Sequence, residues 1–442
     1  MTGAMYAAIA GLRTHMQNLN VIGNNVANVN TNGYKSSRAI FKTSLYTTLT
    51  GGSNGTTVVG GVNPSQIGYG ANVSTVDIDM STGNYAATGK STDLMLDGDG
   101  FFMVGDKSIA DTFQGNSDDV GKLTSLFLTR VGNFEFKADG YFANNDGNCV
   151  YGFQCVGKWG DGTAEHSIYQ VKSVDANTGA ITYVTDANGN RVRRTDIPSN
   201  VKEGDAFFSD QLVPIRLPQV KSETAWFQIQ ADGTLKQLTD DEAAALTPAD
   251  KADSTKYLSK ETFSIIYPNA TKAGVTAVSE NGEPLPMGQF ELITVDKNTG
   301  LITGVSKETS EVVTIGCVAV GNVTNPNGVT SMGDNYFRAS EGSGDLTVSV
   351  LGGNAASMNI TQINASKYTD AADPNATAPG IDGLRPRTGG TTKMLSSGLE
   401  MSKTDLAQEI ANLILTQRGY QANTRIITVT DSMLEELVNM KR

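Results

Sequence analysis

Apolar residues recur every seven positions at both ends of this 442-residue chain. Near the start, Met5, Leu12, Leu19 and Val26 form one track, with Ile9 and Met16 interleaved four residues on. Near the end run Leu399, Leu406, Leu413, Tyr420, Ile427 and Leu434, with Ile410 beside them. Alternating steps of three and four put residues on one face of an α-helix. A sustained period of seven suits packing against another helix. Neither end supplies that partner itself, so the pattern predicts that the termini meet as a coiled-coil-like pair. Its expected interface is Met5, Ile9, Leu12, Met16, Leu19 and Val26 against Leu406, Ile410, Leu413, Tyr420, Ile427 and Leu434. Ser402 is the expected N-cap of the last helix, with Asp405 three residues on. Lys441 and Arg442 would complement the dipole at its end.

Between the helices the pattern changes to short alternating runs broken by Gly, Asn and Asp. Leu94–Leu96 and Phe101–Val104 flank Asp97-Gly98-Asp99-Gly100 and read as a hairpin. Phe134–Phe136 and Tyr141-Phe142 flank Ala138-Asp139-Gly140 in the same way. Residues 175–179, 186–189 and 296–300 repeat an Asx-Gly turn chemistry. The fold class expected is mainly β with terminal α-helices, the paired helices being followed by nested antiparallel β domains. The helical core would take residues 1–35 and 395–442, and polar linkers 36–70 and 366–394. A first β domain would take 71–155 and 315–365, and an inserted outer β domain 156–314.

The first helical track breaks at Gly23, and an Asn-rich segment follows, Asn24-Asn25-Val26-Ala27-Asn28-Val29-Asn30-Thr31-Asn32-Gly33-Tyr34-Lys35. Gly33 is a natural helix stop. Asparagine competes for local backbone bonds and ends helices, but five in nine residues exceed what termination needs. A crowded interface and a solvated, frayed helix end both fit.

Composition narrows the function. The net charge is −12, and no Lys/Arg cluster follows a phosphate backbone, so nucleic-acid binding is not expected. Three cysteines, Cys149, Cys155 and Cys317, make neither a CxxC pair nor a disulfide framework. They read as small buried side chains; a Cys149–Cys155 bridge across a bend is allowed but not indicated. The chain has two histidines, His15 and His166, and no metalloprotease, nucleophile-elbow or phosphate-loop motif. No enzyme, cofactor or metal site is expected. The Asp/Gly run at 97–100 lacks the bidentate Glu of an EF-hand loop. Residues 1–12 lack a charged leader and a cleavage site, and no run is long enough to span a bilayer.

The segment Gly23, Asn24, Asn25, Asn28, Asn30, Thr31, Gly33, Tyr34 and Lys35 resembles the N-terminal signature of bacterial flagellar rod and hook axial proteins. Leu406-Ala407 through Gln417-Arg418-Gly419-Tyr420-Gln421-Ala422-Asn423 resembles the family's C-terminal end. Asp93-Leu94 to Phe102 and Thr129–Phe134 resemble its first β domain. The large middle and the stretch Gly61–Gly70 look like the hook branch rather than the rod branch. The resemblance implies a structural subunit of a flexible helical tube that transmits torque from rod to filament. It implies export through the flagellar type III apparatus with an uncleaved N-terminus. Its implied partners are copies of itself, a hook cap, the distal rod and the hook–filament junction. It also allows a Cys–Lys crosslink between neighbours, for which no motif names the pair. A distal rod subunit is the nearest alternative. A secreted adhesin or glycan-binding protein, with Trp159 or Trp226 as platform, is the alternative from another class.

Overall fold

The computed structural model describes residues 2–55, 60–107, 126–160, 167–174, 180–186, 189–194, 202–230, 235–238, 242, 245–247, 256–268, 285–344, 346–349, 351 and 392–440. The chain divides into two compact units, Met1–Ala86 with Glu400–Arg442, and Ala87–Leu399. Two helices, α1 (Thr2–Ala27) and α2 (Leu406–Met440), belong to the first unit.

In the first unit α1 packs against α2 on one side and a two-stranded ladder on the other. The ladder pairs Ser37–Thr43 with Ala71–Ile78, antiparallel. Gly70 lets the ladder approach α1, since a Cβ there would lie 2.9 Å from Ala10 Cβ, and its φ is +103°. Thr14 Oγ1 ties the two together by donating to Ala71 O at 3.0 Å. Residues 36–70, expected as a linker, instead hold strand Ser37–Thr43 and an arm in which Tyr46–Thr50 pairs with Ser65–Gly68. Every residue of that arm's two strands is exposed. Of residues 366–394, expected as the other linker, 366–391 lie outside the described residues, and Lys393 and Met394 begin the strand Lys393–Ser396.

The second unit is built on a 13-stranded sheet. Its central path runs Phe290–Val295, Leu301–Ser306, Val312–Val318, Cys149–Lys158, Phe101–Gly105, Phe127–Thr129, Tyr336–Arg338, Thr330–Gly333. The core is aliphatic and aromatic, with Leu94, Phe102, Phe134, Phe142, Val150, Ile315 and Val320 fully buried. Phe134 meets Phe102 edge-on at 5.1 Å and Phe142 at 5.4 Å. A separate three-stranded sheet orders Leu235–Gln237, Gln219–Ile229 and Tyr257–Ile266.

Two sequence expectations change here. The boundaries at 155/156 and 314/315 fall inside the strands Cys149–Lys158 and Val312–Val318, which pair with each other. Hydrogen bonding is therefore continuous across the limits drawn for an inserted outer domain. The 94–104 hairpin does not form either. Leu94–Asp97 pairs with Lys393–Ser396, while Phe101–Gly105 joins the large sheet. Gly98 and Gly100, at φ +120° and +117°, turn the chain between them. The Phe136/Phe142 hairpin does form, with Gly140 at φ +79°. So does the hairpin across 296–300, where Asp296 Oδ1 accepts from Asn298 N, Thr299 N and Thr299 Oγ1.

Candidate functional site: the terminal helix pair and the Asn-rich segment

The helices α1 and α2 run antiparallel, and one register describes four close approaches between them. Asn18 Nδ2 donates to Thr416 Oγ1 at 2.9 Å, and Asn25 Nδ2 donates to Glu409 Oε1 at 3.0 Å. A Cβ on Gly11 would lie 2.7 Å from Asn423 Nδ2, and one on Gly419 would lie 2.7 Å from His15 Cε1. Small residues at those two positions admit large polar partners. Ala8 and Ile22 add buried apolar surface on α1, and Thr416 and Thr430 are buried on α2. Thr416 and Thr430 turn their hydroxyl protons back to carbonyls one turn earlier, which leaves the Thr416 oxygen free to accept from Asn18.

This seam differs from the expected one. Ile9, Met16, Leu406, Ile410 and Tyr420 are exposed, Met16 by 51 %. Met5, Leu12, Leu19, Val26, Leu413, Ile427 and Leu434 are half-buried. Tyr6, Leu415, Val429, Met433, Leu437 and Val438 are exposed as well. In one chain the hydrogen-bonded seam is polar and small, and the apolar track flanks it half-buried except at the exposed positions just named. Gly11, Asn18 and Asn25 keep the same spacing of seven, as do Glu409, Thr416 and Asn423. That parallel periodicity was the available sequence signal for the seam.

Helix α1 stops at Ala27, six residues before Gly33, so the glycine does not cap it. Asn28 closes the helix end, its Nδ2 donating to Asn24 O and Oδ1, and Thr31 Oγ1 donates back to Asn28 Oδ1. Gly33, at φ +69°, sits in a turn that aims its N–H at Glu400 O, 2.8 Å away. The Asn-rich segment thus splits in two. Gly23, Asn24 and Asn30 are exposed, whereas Asn25 is fully buried. The Asn25 amide donates to Ser37 O and Glu409 Oε1 and accepts from Ser37 N and Tyr34 Oη. Burial, and then the Glu409 carboxylate, push the Tyr34 phenol above its ordinary value.

Lys35 completes the site. Its Nζ lies 2.6 Å from Glu400 Oε1, with both side chains 1 % exposed, and also donates to Ser81 O. Gly83 N donates to the same carboxylate oxygen at 2.6 Å. The segment after α1, the loop around Ser81 and the approach to α2 are thereby joined. The α2 cap is Asp405, not Ser402. Asp405 Oδ1 accepts from Ala407 N and Gln408 N, while Ser402 Oγ accepts from Thr404 N before the helix begins. Lys441 and Arg442 lie outside the described residues, as does His166.

Trp159 is buried against Phe207, 4.8 Å between ring centroids, and offers no exposed platform for a glycan. Trp226 is half-buried. Cys149, Cys155 and Cys317 are all buried free thiols. Among the described residues no group of three or more His, Cys, Asp or Glu could hold a metal ion, and no helix is long and apolar enough to cross a membrane.

Two family models match the ends that build this site. Residues 5–35 match the flagella basal body rod protein model, and residues 395–440 the flagellar basal body rod FlgEFG protein C-terminal model. Full-length relatives agree. The chain is 24 % identical to the flagellar hook protein FlgE of Borreliella burgdorferi, covering 100 % of both. It is 26 % identical to the flagellar basal-body rod protein FlgG of Bacillus subtilis, also over 100 % of both. With the flagellar hook protein FlgE of Salmonella typhimurium it shares 23 % identity over 98 % of this chain and 99 % of that one.

Proposed function

We propose that this chain, a member of the flagellar hook and rod family, is a structural subunit of the hook that polymerises head-to-tail into a helical tube. One observation carries the mechanism. The paired helices satisfy each other through a polar seam, and exposed apolar residues remain on their outer faces. Helix α2 has 35 residues, about 52 Å at 1.5 Å per residue, so this surface is long. Apolar patches of this kind mark protein–protein contacts. A subunit with unlike faces that meets its neighbour by a non-closing rotation makes an open helical polymer. The solvated arm at 46–50 and 65–68 adds an extended polar-and-apolar strand pair that a neighbour would cover.

Its first partner is another copy of itself. The cap, the distal rod, the hook–filament junction and the type III export apparatus follow from membership in the family, with the flagellum outside the cell as its place of work. A rod role is the second reading, favoured by the full-length likeness to the Bacillus subtilis rod protein. Electron microscopy of the purified chain under polymerising conditions separates the two. Curved tubes of variable length support the hook, and straight, short ones the rod. Leu437→Asp with Val438→Asp should abolish polymers yet leave the monomer's circular dichroism unchanged. Normal polymers from that variant would refute the role given to the exposed face.

A further inference from the structure

We infer that Asn25 selects the register along the terminal helix pair itself, beyond the contacts of Gly33 and Lys35 to Glu400 that hold the approach to α2. Four couples span the seam: Gly11 with Asn423, His15 with Gly419, Asn18 with Thr416 and Asn25 with Glu409. In each the two residue numbers sum to 434. The polar positions repeat every seven residues on both helices, so a slip of one heptad still sets polar against polar. It would place Asn18 against Asn423 or Glu409, and both can hydrogen-bond it. The glycine fits discriminate weakly, because the atoms they admit are the ends of the flexible Asn423 and His15 side chains.

Asn25 is not interchangeable in this way. It is fully buried, and both amide hydrogens and two acceptor sites on its oxygen are engaged. Ser37 N–H can only donate, which fixes Oδ1 and hence directs Nδ2 at Glu409. The ladder strand and Tyr34 hold the amide from one side, and Glu409 is reached only in the observed register. After a slip the same amide would face Thr416 or Ser402, uncharged hydroxyls whose oxygen lies two bonds nearer its own backbone than Glu409 Oε1 and so falls short of an amide held by Ser37 and Tyr34. A single buried Asn is known to set register in paired helices in this manner. One heptad is about 10 Å of axial shift. The proposal rests on the polymer reading only in its consequence, namely that this shift would misplace the exposed apolar track against neighbouring subunits.

Paired cysteines in the full-length chain read the register directly. Asn18→Cys with Thr416→Cys reports the observed register. Asn18→Cys with Asn423→Cys, and His15→Cys with Asn412→Cys, report slips in either direction. Disulfides formed on mild oxidation are located by peptide mass. With Asn25 intact, the first pair should close and the shifted pairs should not. Adding Asn25→Leu should lower closure of the first pair at least ~3-fold and let a shifted pair close. Glu409→Gln, whose amide oxygen still accepts from Asn25, should keep the first pair. If Asn25→Leu leaves the first pair closing as before, the proposal fails. It fails equally if closure is lost with no gain in either shifted pair, since Asn25 would then only stabilise the pairing. Polymer failure in the unmutated chain shows in micrographs, independently of this pattern.

Discussion

Replacing Lys35 with Met leaves a carboxylate buried without its counter-ion, and the structure sets the scale of the cost. The Lys35–Glu400 pair is 2.6 Å apart with each side chain 1 % exposed, so solvent screens it little. Removing one member of such a pair costs roughly 3–5 kcal/mol, against about 0–1 kcal/mol for an exposed pair. The Gly83 N–H still donates to Glu400 Oε1 and offsets part of the loss, which points to the lower end, about 3 kcal/mol. With a urea dependence of ~1.5–2 kcal/mol per molar, the unfolding midpoint should fall by about 1.5–2 M. Far-ultraviolet circular dichroism is the assay, because the two long helices both lie in the unit that contains the pair. Lys35→Met with Glu400→Leu removes the stranded charge and should recover at least ~1 kcal/mol relative to Lys35→Met alone. Lys90→Met, which breaks the half-exposed pair with Glu135, should leave the midpoint unmoved. A shift for Lys35→Met below ~0.5 M, or a double variant weaker than either single one, would refute the claim that this pair clasps the chain ends.

Three further outcomes follow from local geometry. Gly132→Ala would set a Cβ 1.7 Å from Leu94 O, a backbone atom that cannot swing aside, and should cost about 2–3 kcal/mol or more in unfolding followed by the fluorescence of Trp159 and Trp226 together. Asp405→Ala should cost about 1 kcal/mol and speed amide exchange at Ala407 and Gln408, whereas Ser402→Ala should leave those amides unchanged. Burial pushes the thiols up, Cys149 to about 11 and Cys155 and Cys317 to about 12, so alkylation of the folded chain at pH 8 should be at least ~100-fold slower than after unfolding. Because the folded thiols hold their protons more tightly than unfolded ones, their contribution to stability is complete below about pH 9. It is lost as pH rises toward 11–12, and a stability curve flat through that window would contradict it.

Much of the architecture was legible along the chain. The N-terminal helix announced by the track from Met5 to Val26 spans Thr2–Ala27, since a period of seven sustained over that length leaves few alternatives. The turns at 138–140 and 296–300 formed where Asp and Gly announce them. The hairpin at 97–100 did not, because Asp-Gly chemistry specifies a turn and not which strand lies next to it. Leu94–Asp97 and Phe101–Gly105 find partners about 300 and 50 residues away, at 393–396 and 149–150, and pairing at that separation leaves no local mark. The limits drawn at 155/156 and 314/315 fall within paired strands for the same reason: a change of texture near residue 156 does not interrupt a strand whose neighbours are already placed.

The helix pair divides the two kinds of information most clearly. By itself the sequence determined that both ends are helical, that they repeat every seven residues, and that Asn25 and Lys35 lie in a segment with more polar groups than a helix end requires. Periodicity specifies a face, and hydrophobicity specifies that the face seeks cover. Neither says who provides it. The tertiary structure decided that within one chain Gly11, Asn18 and Asn25 meet Asn423, Thr416 and Glu409, because small and polar side chains let the helices approach and satisfy buried hydrogen bonds at once. Part of the apolar track, Ile9 and Met16 on α1 and Leu406, Ile410 and Tyr420 on α2, is left outward, where the cover must come from outside the chain.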